Sequence, residues 1–359
     1  MPTPTSPFLH SAFTLNGLSF ETVEELVAFA DSLVSDGHEY EVSVGLFLKE
    51  WFGVEKDIQL ITSGSTGKPK KIRVPKSALI NSAIATGTFF KIQEGKSALL
   101  CLSADYIAGK MMVVRALTLG WDLHIVAPTK DALVEYDNSY DFVAMVPLQV
   151  QHSLEAMSKV KKVIVGGAPI SASLEEALQD VDCEVFATYG MTETVSHIAI
   201  RRVNGLAQSS VYSGLPGVTF ATDDRDCLII HAPGIAEDTV ITNDIVSLKS
   251  PTSFEFLGRY DHVINSGGVK IFPEHIEHAL SAAIAEPFII TSEPDEALGQ
   301  KVILVIESGG ASLSNYSEAI AQLPPYERPK KVYSLSRFPR TETGKIKRKE
   351  IGAILKGYA

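Results

Sequence analysis

The chain has 359 residues, 45% of them hydrophobic, with 32 Lys+Arg against 43 Asp+Glu and a formal charge of −11. That length can bury one large core and a smaller second one, and the acidic balance argues against nucleic acid or an anionic membrane as the main partner. Three scattered cysteines, Cys101, Cys183 and Cys227, form neither a disulfide framework nor a metal spacing and suit buried thiols of a reducing cytoplasm. The first 13 residues lack a basic, apolar leader, and no run of about 18 apolar residues suggests membrane insertion.

Thr22-Val23-Glu24-Glu25 reads as a capping box, after which Val23, Leu26, Val27, Ala30, Leu33 and Val34 recur at helical spacing. A second helix is expected over 43–51. Ile58-Gln59-Leu60-Ile61 is a short apolar strand. It runs into Thr62-Ser63-Gly64-Ser65-Thr66-Gly67-Lys68-Pro69-Lys70, the stretch around which the chain is organised. Small residues cannot fill a core, but their N–H groups and hydroxyls can cradle an anion, and Lys68 and Lys70 add positive charge. A flexible linker is the competing reading; the position between buried elements and the Lys-Pro-Lys ending favour the cradle. No Gly-Lys-Ser/Thr closes the stretch, so it is not a GxxxxGK[ST] loop.

A helix is expected within 72–90. Strands at 98–102, 123–127, 142–146, 162–165 and 185–187 then alternate with helices at 107–119, 148–157 and 174–178. Gly120 ends the first of these helices, Pro147 starts the second, and Ser171 or Ser173 caps the third. This alternation predicts an α/β fold with a doubly wound, mainly parallel sheet, in which ligands sit at the carboxyl ends of strands. The distinctive residues fall there: Thr62 onward, Ser103–Tyr106, Gly166-Gly167-Ala168-Pro169 and Tyr189-Gly190-Met191-Thr192-Glu193-Thr194. A flat ring can lie on the bare backbone of Gly166-Gly167-Ala168-Pro169, although for this segment alone a tight strand-to-helix turn is the favoured reading. Tyr189 can stack on a base, Thr192 can bond a phosphate, and Glu193 can hold Mg²⁺; helix capping is the alternative for the last two.

Segment 211–257 reads as short strands and turns, a β-rich subdomain. Around Asp261 the pattern changes. A second small-residue loop runs from Asn265 to Ile271, Pro273 and Glu274 open a helix to about Leu280, and strands are expected at 289–291, 302–306 and 331–333. A basic helix over 346–355 follows Pro339-Arg340-Thr341-Glu342-Thr343-Gly344-Lys345. We therefore divide the chain into 1–260 and a small, mobile α+β domain, 261–359.

The Thr62–Lys70 stretch resembles the phosphate loop of the acyl-adenylating superfamily of AMP-forming ligases, and Tyr189–Thr194 is similar to its adenine- and magnesium-binding motif. Gly166–Pro169 resembles the adenine-contacting turn. Ile241-Thr242-Asn243-Asp244 resembles the motif whose aspartate bonds ribose, and Gly258-Arg259-Tyr260-Asp261 the segment that contacts ribose or phosphate and holds the hinge. Gly267-Gly268-Val269-Lys270 looks like the thioester-step loop, and the stretch ending in Lys345 like the adenylation-lysine motif. The similarity runs from about Leu60 to Ile351. At Val146–Gln149 and Gly166–Ile170 it is greatest to the o-succinylbenzoate–CoA ligases of menaquinone biosynthesis.

The resemblance implies a small-molecule acid, ATP, Mg²⁺ and coenzyme A. Lys345, Glu193 and Lys270 would be catalytic, with Glu193 on the metal. ATP or AMP would meet Thr62, Ser63, Gly64, Ser65, Thr66, Gly67, Lys70, Gly167, Ala168, Pro169, Tyr189, Gly190, Met191, Thr192, Asp244 and Arg259. Tyr106 (where many members carry a histidine), Lys110 and His197 would line the acyl pocket, Gly267 and Gly268 would serve the coenzyme A step, and Asp261 would be the hinge. A second substrate carboxylate would find Lys110, Arg201 or Arg202. Only 61 residues precede Thr62, fewer than in other members, which sets the usual N-terminal subdomain in question. Another acid or a carrier-protein thiol is one alternative. A non-catalytic nucleotide sensor is another, disfavoured by the joint presence of Lys70, Glu193, Asp244, Arg259 and Lys345. A monomer and a homodimer both stay open.

Overall fold

The computed structural model describes residues 6–62, 70–309, 316–340 and 346–356. Two short strands, β1 (Thr14–Leu15) and β2 (Leu18–Ser19), precede helices α1 (Val23–Asp36) and α2 (Glu39–Phe52). Thr22 caps α1: its Oγ1 accepts the Glu25 N–H at 3.2 Å, satisfying one donor that the helix itself leaves over. β3 (Asp57–Thr62) and β4 (Lys70–Pro75) pair antiparallel with Thr62 opposite Lys70, so residues 63–69 connect two adjacent strand ends.

After α3 (Lys76–Phe90) come β5 (Ser97–Leu100), α4 (Ile107–Leu119), β6 (Asp122–Ile125), β7 (Tyr140–Met145), α5 (Pro147–His152), β8 (Val160–Val165), α6 (Ala172–Ala177) and β9 (Glu184–Gly190). In the sheet β1, β6, β5, β7, β8 and β9 lie side by side and parallel. Such a sheet must be covered on both faces. Alternating residues achieve this: Ala98 and Leu100 join Leu79, Met112 and Leu117 on one side, while Leu99 joins Val150, Leu174 and Leu178 on the other. Helix α4 is buried on every side from Gly109 to Thr118, which is why it carries no polar stripe; Lys110 and Arg115 are its only charged residues. Gly120 ends it in the left-handed region, at φ +70°. The helix expected over 148–157 is α5 followed by a 3-10 stretch, Leu154–Lys159, because Ser153 turns out of helical geometry at ψ 10°.

β10 (His197–Arg202) runs back antiparallel to β9. Then β11 (Val211–Gly214), β12 (Thr219–Thr222), β13 (Cys227–His231), β14 (Val240–Ser250) and β15 (Ser253–Arg259) extend the same thirteen-stranded sheet in the order β10-β11-β15-β14-β13-β12. The β-rich segment is thus edge-joined to the parallel strands.

A 3-10 turn at Tyr260–His262 leads to a second sheet of β16 (Ile264–Ser266), β17 (Val269–Ile271), β18 (Phe288–Asp295), β19 (Gly299–Glu307) and β20 (Lys331–Leu335), flanked by α7 (Pro273–Leu280), α8 (Ser317–Gln322) and α9 (Arg348–Lys356). Gly267 and Gly268, at φ +58° and +83°, form the two-residue turn between β16 and β17, where both positions need left-handed backbone. Ile276, Leu280 and Ile320 pack with Ile290, Val302 and Leu304 on one face, and Ile351 and Leu355 with Ile289, Ile303 and Val305 on the other. The two sheets' bodies touch where the Ala172 N–H donates to Ser281 Oγ at 2.8 Å. Among the described residues no helix is long and apolar enough to cross a membrane.

Candidate active site

β8 and β9 are parallel neighbours, so the turn after Val165 and the segment after Thr188 emerge together at the carboxyl edge of the sheet. Gly166 has no room for a side chain: a Cβ there would lie 2.5 Å from Thr188 Oγ1. Gly167 adopts φ +83°, and it is exposed together with Ala168 and Pro169. Gly190 pairs with His197 across β9 and β10, and a Cβ on it would meet Ser196 O at 2.3 Å.

Between those partners, Thr192–Thr194 forms a single 3-10 turn. Thr194 Oγ1 is buried, accepts the Met191 N–H at 3.0 Å and lies 2.9 Å from Ser196 O. Val195 follows at φ +64°, ψ −55°, with the Ser196 N–H donating to Thr194 O at 2.6 Å. This is a positive-φ γ-turn, a rare and strained form that a β-branched residue disfavours further. The Val195 side chain, only 2% exposed in the core, holds the turn in place. Glu193 stands exposed beside it and makes no ion pair among the described residues.

A second group forms where β14 meets β15. Asp244 lies opposite Arg259, with Arg259 Nη1 3.2 Å from Asp244 Oδ1. The Tyr189 hydroxyl donates to Asp244 Oδ2 at 2.5 Å. Burial first, then the Asp244 charge, push the Tyr189 phenol far above its ordinary value, so it remains a protonated donor. Its ring packs edge-on against Phe254, centroids 5.0 Å apart, and against Tyr212. Arg259 Nε also reaches Asp261 Oδ1 at 3.3 Å. Burial opposes the Arg259 charge, but Asp244 and Asp261 outweigh it and raise the guanidinium above its ordinary value. Among the described residues Asp244 Oδ1 is buried without a hydrogen bond: Arg259 sits at ion-pair distance but off hydrogen-bond direction. One acceptor therefore remains for a hydroxyl donor.

Each of the three cations named for a second substrate carboxylate has a carboxylate of the chain beside it. Lys110 Nζ lies 3.7 Å from Glu50 Oε2 and 4.5 Å from the Phe47 ring centroid, so it ties α4 to α2. Arg201 pairs with Glu175 and Arg202 with Glu184, so both already have carboxylate partners. The cation beside His197 is Arg115. Its Nη2 donates to Ser196 Oγ at 3.1 Å and faces His197 Nδ1 at 3.3 Å. Arg115 is 1% exposed, its Nε has no partner, and no carboxylate pairs with it among the described residues. Burial lowers the guanidinium pKa to about 9. The same burial, with Arg115 next in weight, holds the His197 imidazole well below its ordinary value. In the sequence Arg115 stands out only as a second lone charge in an otherwise apolar helix. Tyr106 precedes α4 and is exposed.

Gly267 and Gly268 bring Lys270 to a groove of about 370 Å³, lined also by Thr222, Asp226, Ser247, Leu257 and Phe272. It opens where β14 and β15 face β17. Thr62 and Lys70 close the paired part of β3 and β4. Ser63, Gly64, Ser65, Thr66, Gly67 and Lys68, and likewise Lys345, lie outside the described residues.

A family model described as AMP-binding enzyme matches residues 59–224. The 2-succinylbenzoate–CoA ligase of Bacillus cereus (strain ATCC 10987 / NRS 248) is 24% identical over 92% of this chain and 76% of its own length. The o-succinylbenzoate coenzyme A synthetase (MenE) of Bacillus subtilis, solved with ATP and magnesium ion, shares the fold at TM-score 0.71 and 18% identity, over 92% of this chain and 82% of that one. The acyl-CoA synthetase (AMP-forming)/AMP-acid ligase II-like protein of Dyadobacter fermentans DSM 18053 is 37% identical over 91% of this chain and 98% of that one, with a TM-score of 0.62. Identity at that level over nearly the whole of both chains shows that the protein belongs to the AMP-binding enzymes, within the AMP-forming acyl-CoA synthetases and AMP–acid ligases.

Proposed function

We propose that the protein adenylates a dicarboxylic acid, o-succinylbenzoate, with ATP and passes the acyl group to coenzyme A, a step of menaquinone biosynthesis in the cytoplasm. The observation that carries the choice of acid is Arg115. A guanidinium keeps its proton at neutral pH, and a buried ion without a counter-charge costs several kcal/mol. A substrate carboxylate offsets that cost, whereas a fatty acid or simple benzoate, whose one carboxylate is consumed in adenylation, does not. The curated 2-succinylbenzoate–CoA ligases at 24% identity support the same acid.

The residues fit the nucleotide. The free Oδ1 of Asp244 accepts a ribose hydroxyl, and Arg259 beside it meets ribose or phosphate oxygen. The bare Gly167–Pro169 turn and Tyr189 border the adenine, and the segment from Thr62 to Lys70 takes the phosphates. Magnesium is held by one or two carboxylates plus substrate phosphates; exposed, unpaired Glu193 is the donor this chain offers, and the ion would neutralise phosphate charge there. A substrate carboxylate oxygen attacks the α-phosphorus and pyrophosphate leaves, with Lys345 stabilising the developing charge. The coenzyme A thiol then attacks the acyl carbon and AMP leaves. Residues 261–359 rotate about Asp261 between the two steps, exchanging Lys345 for the Gly267–Lys270 loop. Asp261 suits that role because it lies in the short turn between the sheets.

The test is pyrophosphate release from ATP and Mg²⁺ with a panel of o-succinylbenzoate, benzoate, a phenylacetate and a fatty acid, with and without coenzyme A. Release selective for o-succinylbenzoate, with its CoA thioester as product, is the expected result. Selective release with a monocarboxylic acid replaces the substrate. Release with none of them, despite ATP binding, overturns the reading.

A further inference from the structure

His197 links three elements through a hydrogen-bond chain whose proton positions can be worked out. Thr86 of α3 donates its hydroxyl to Ser82 O at 2.9 Å. A hydroxyl has a single proton, so toward His197 Nε2, at 3.4 Å, the Thr86 oxygen must accept. His197 therefore carries its proton on Nε2, and Nδ1 is a bare acceptor. It faces Arg115 Nη2 at 3.3 Å, a group that can only donate. The other tautomer would set donor against donor on Nδ1, and an imidazolium would add a second cation beside the first. Thr86, His197 and Arg115 are all buried, so water does not substitute for a broken link.

The chain occupies one part of the guanidinium only. Nη2 is held by His197 and Ser196. Among the described residues Nη1 meets just the weak acceptor Met112 Sδ at 3.6 Å, and Nε meets no hydrogen-bond partner. Ser196 and His197 are themselves set by the strained turn at Val195 and by the register of His197 opposite Gly190. We infer that His197 is a positioning residue which, as an uncharged acceptor, orients Arg115 so that its unoccupied donors take the carboxylate of the acid that is not adenylated. His197 thereby sets selectivity for dicarboxylic over monocarboxylic acids. The inference rests on the proposed dicarboxylic substrate.

The experiment compares the full chain with His197→Leu and His197→Gln. It measures kcat and KM for o-succinylbenzoate, for an analogue lacking the second carboxylate, and for ATP. Leucine fills similar space without a polar atom, whereas the glutamine amide offers both an acceptor and a donor. Loss of a buried hydrogen bond to a charged group translates to about a 10- to 100-fold rise in KM for the diacid in His197→Leu. The KM for ATP stays near wild type, the analogue loses less than the diacid does so that the ratio of the two acids' kcat/KM falls, and His197→Gln recovers most of that ratio. A fall by the same factor with both acids marks His197 as merely structural and overturns the inference, as does a Gln variant no more selective than Leu. A wild-type enzyme with no preference for the diacid refutes the substrate reading itself. A wild-type preference retained in His197→Leu refutes the positioning role alone.

Discussion

Gly190→Ala probes the geometry on which both motifs of the site depend. A Cβ at this position would lie 2.3 Å from Ser196 O and 2.6 Å from His197 Cα. Both obstacles are backbone, so no rotamer change relieves them. Ordinary contact begins near 3.4 Å, so although Gly190 itself is exposed, the ends of β9 and β10 must separate by on the order of 1 Å to admit a Cβ between backbone atoms. Overpacking of this kind costs about 1–3 kcal/mol, a loss the fold survives with a thermal midpoint lowered by several degrees. The displacement carries Tyr189 and Glu193 away from Ser196 and His197, and a misplacement of about 1 Å at reacting groups costs on the order of 100-fold in rate. ATP–pyrophosphate exchange with saturating acid, measured well below the variant's thermal midpoint, reads this out. Gly352→Ala in α9, where a Cβ meets nothing within 4 Å, is the control. A Gly190→Ala enzyme that exchanges at the wild-type rate would refute the coupling of the two strands to the chemistry.

Gly352→Ala itself is expected to stabilise the small domain by about 0.5–1 kcal/mol, because alanine replaces glycine in open space within a helix; a lowered thermal midpoint would contradict the placement. Lys345→Ala should depress adenylation strongly while sparing thioester formation from a supplied acyl adenylate, and equal loss of both half-reactions would sink the assigned role. His197 and His124 are held below their ordinary value, with burial the first cause for each. The unfolded chain then binds more protons below pH about 6.5, so stability is full above that pH and falls as pH drops, by up to about 1.4 kcal/mol per unit for each group. Urea midpoints at pH 7.5 and 5.5 should differ less in His197→Gln than in the wild type; equal differences would mean that His197 is not buried and neutral. Asp244→Ala should raise the KM for ATP by roughly 10-fold or more, since it removes a charged acceptor, with the acid KM little changed; an unaltered ATP KM would place the ribose elsewhere.

The parallel half of the fold was legible because its signals are local. Helix α4 matches the expected 107–119, with Gly120 supplying the left-handed stop, and Ser171 proves to be the α6 cap. Once strands and helices alternate, topology brings Gly166–Pro169 and Tyr189–Thr194 to one edge, so motif order along the chain anticipates motif neighbourhood in space. The antiparallel extension was less legible. That β11 pairs with β15 is a long-range choice that no local pattern encodes.

The surroundings of the cations on α4 could not be read from the sequence, and the reason is directional. Lys110 and Arg115 are five residues apart on α4, which at about 3.6 residues per turn sets them roughly 140° apart around the helix. Periodicity could not decide which of them faces α2 and which faces β10, because α4 is apolar on all sides. Packing decides it. Glu50 of α2 captures the ammonium of Lys110, while Glu175 and Glu184 capture Arg201 and Arg202. Each of these three charges is answered within the chain. Arg115 is met instead by a serine hydroxyl, a neutral imidazole and a thioether, all of which orient a cation without neutralising it. That difference is what the proposed role of Arg115 toward a substrate carboxylate rests on. It is a property of the neighbours and not of the residue, so it becomes readable only when the neighbours are in place.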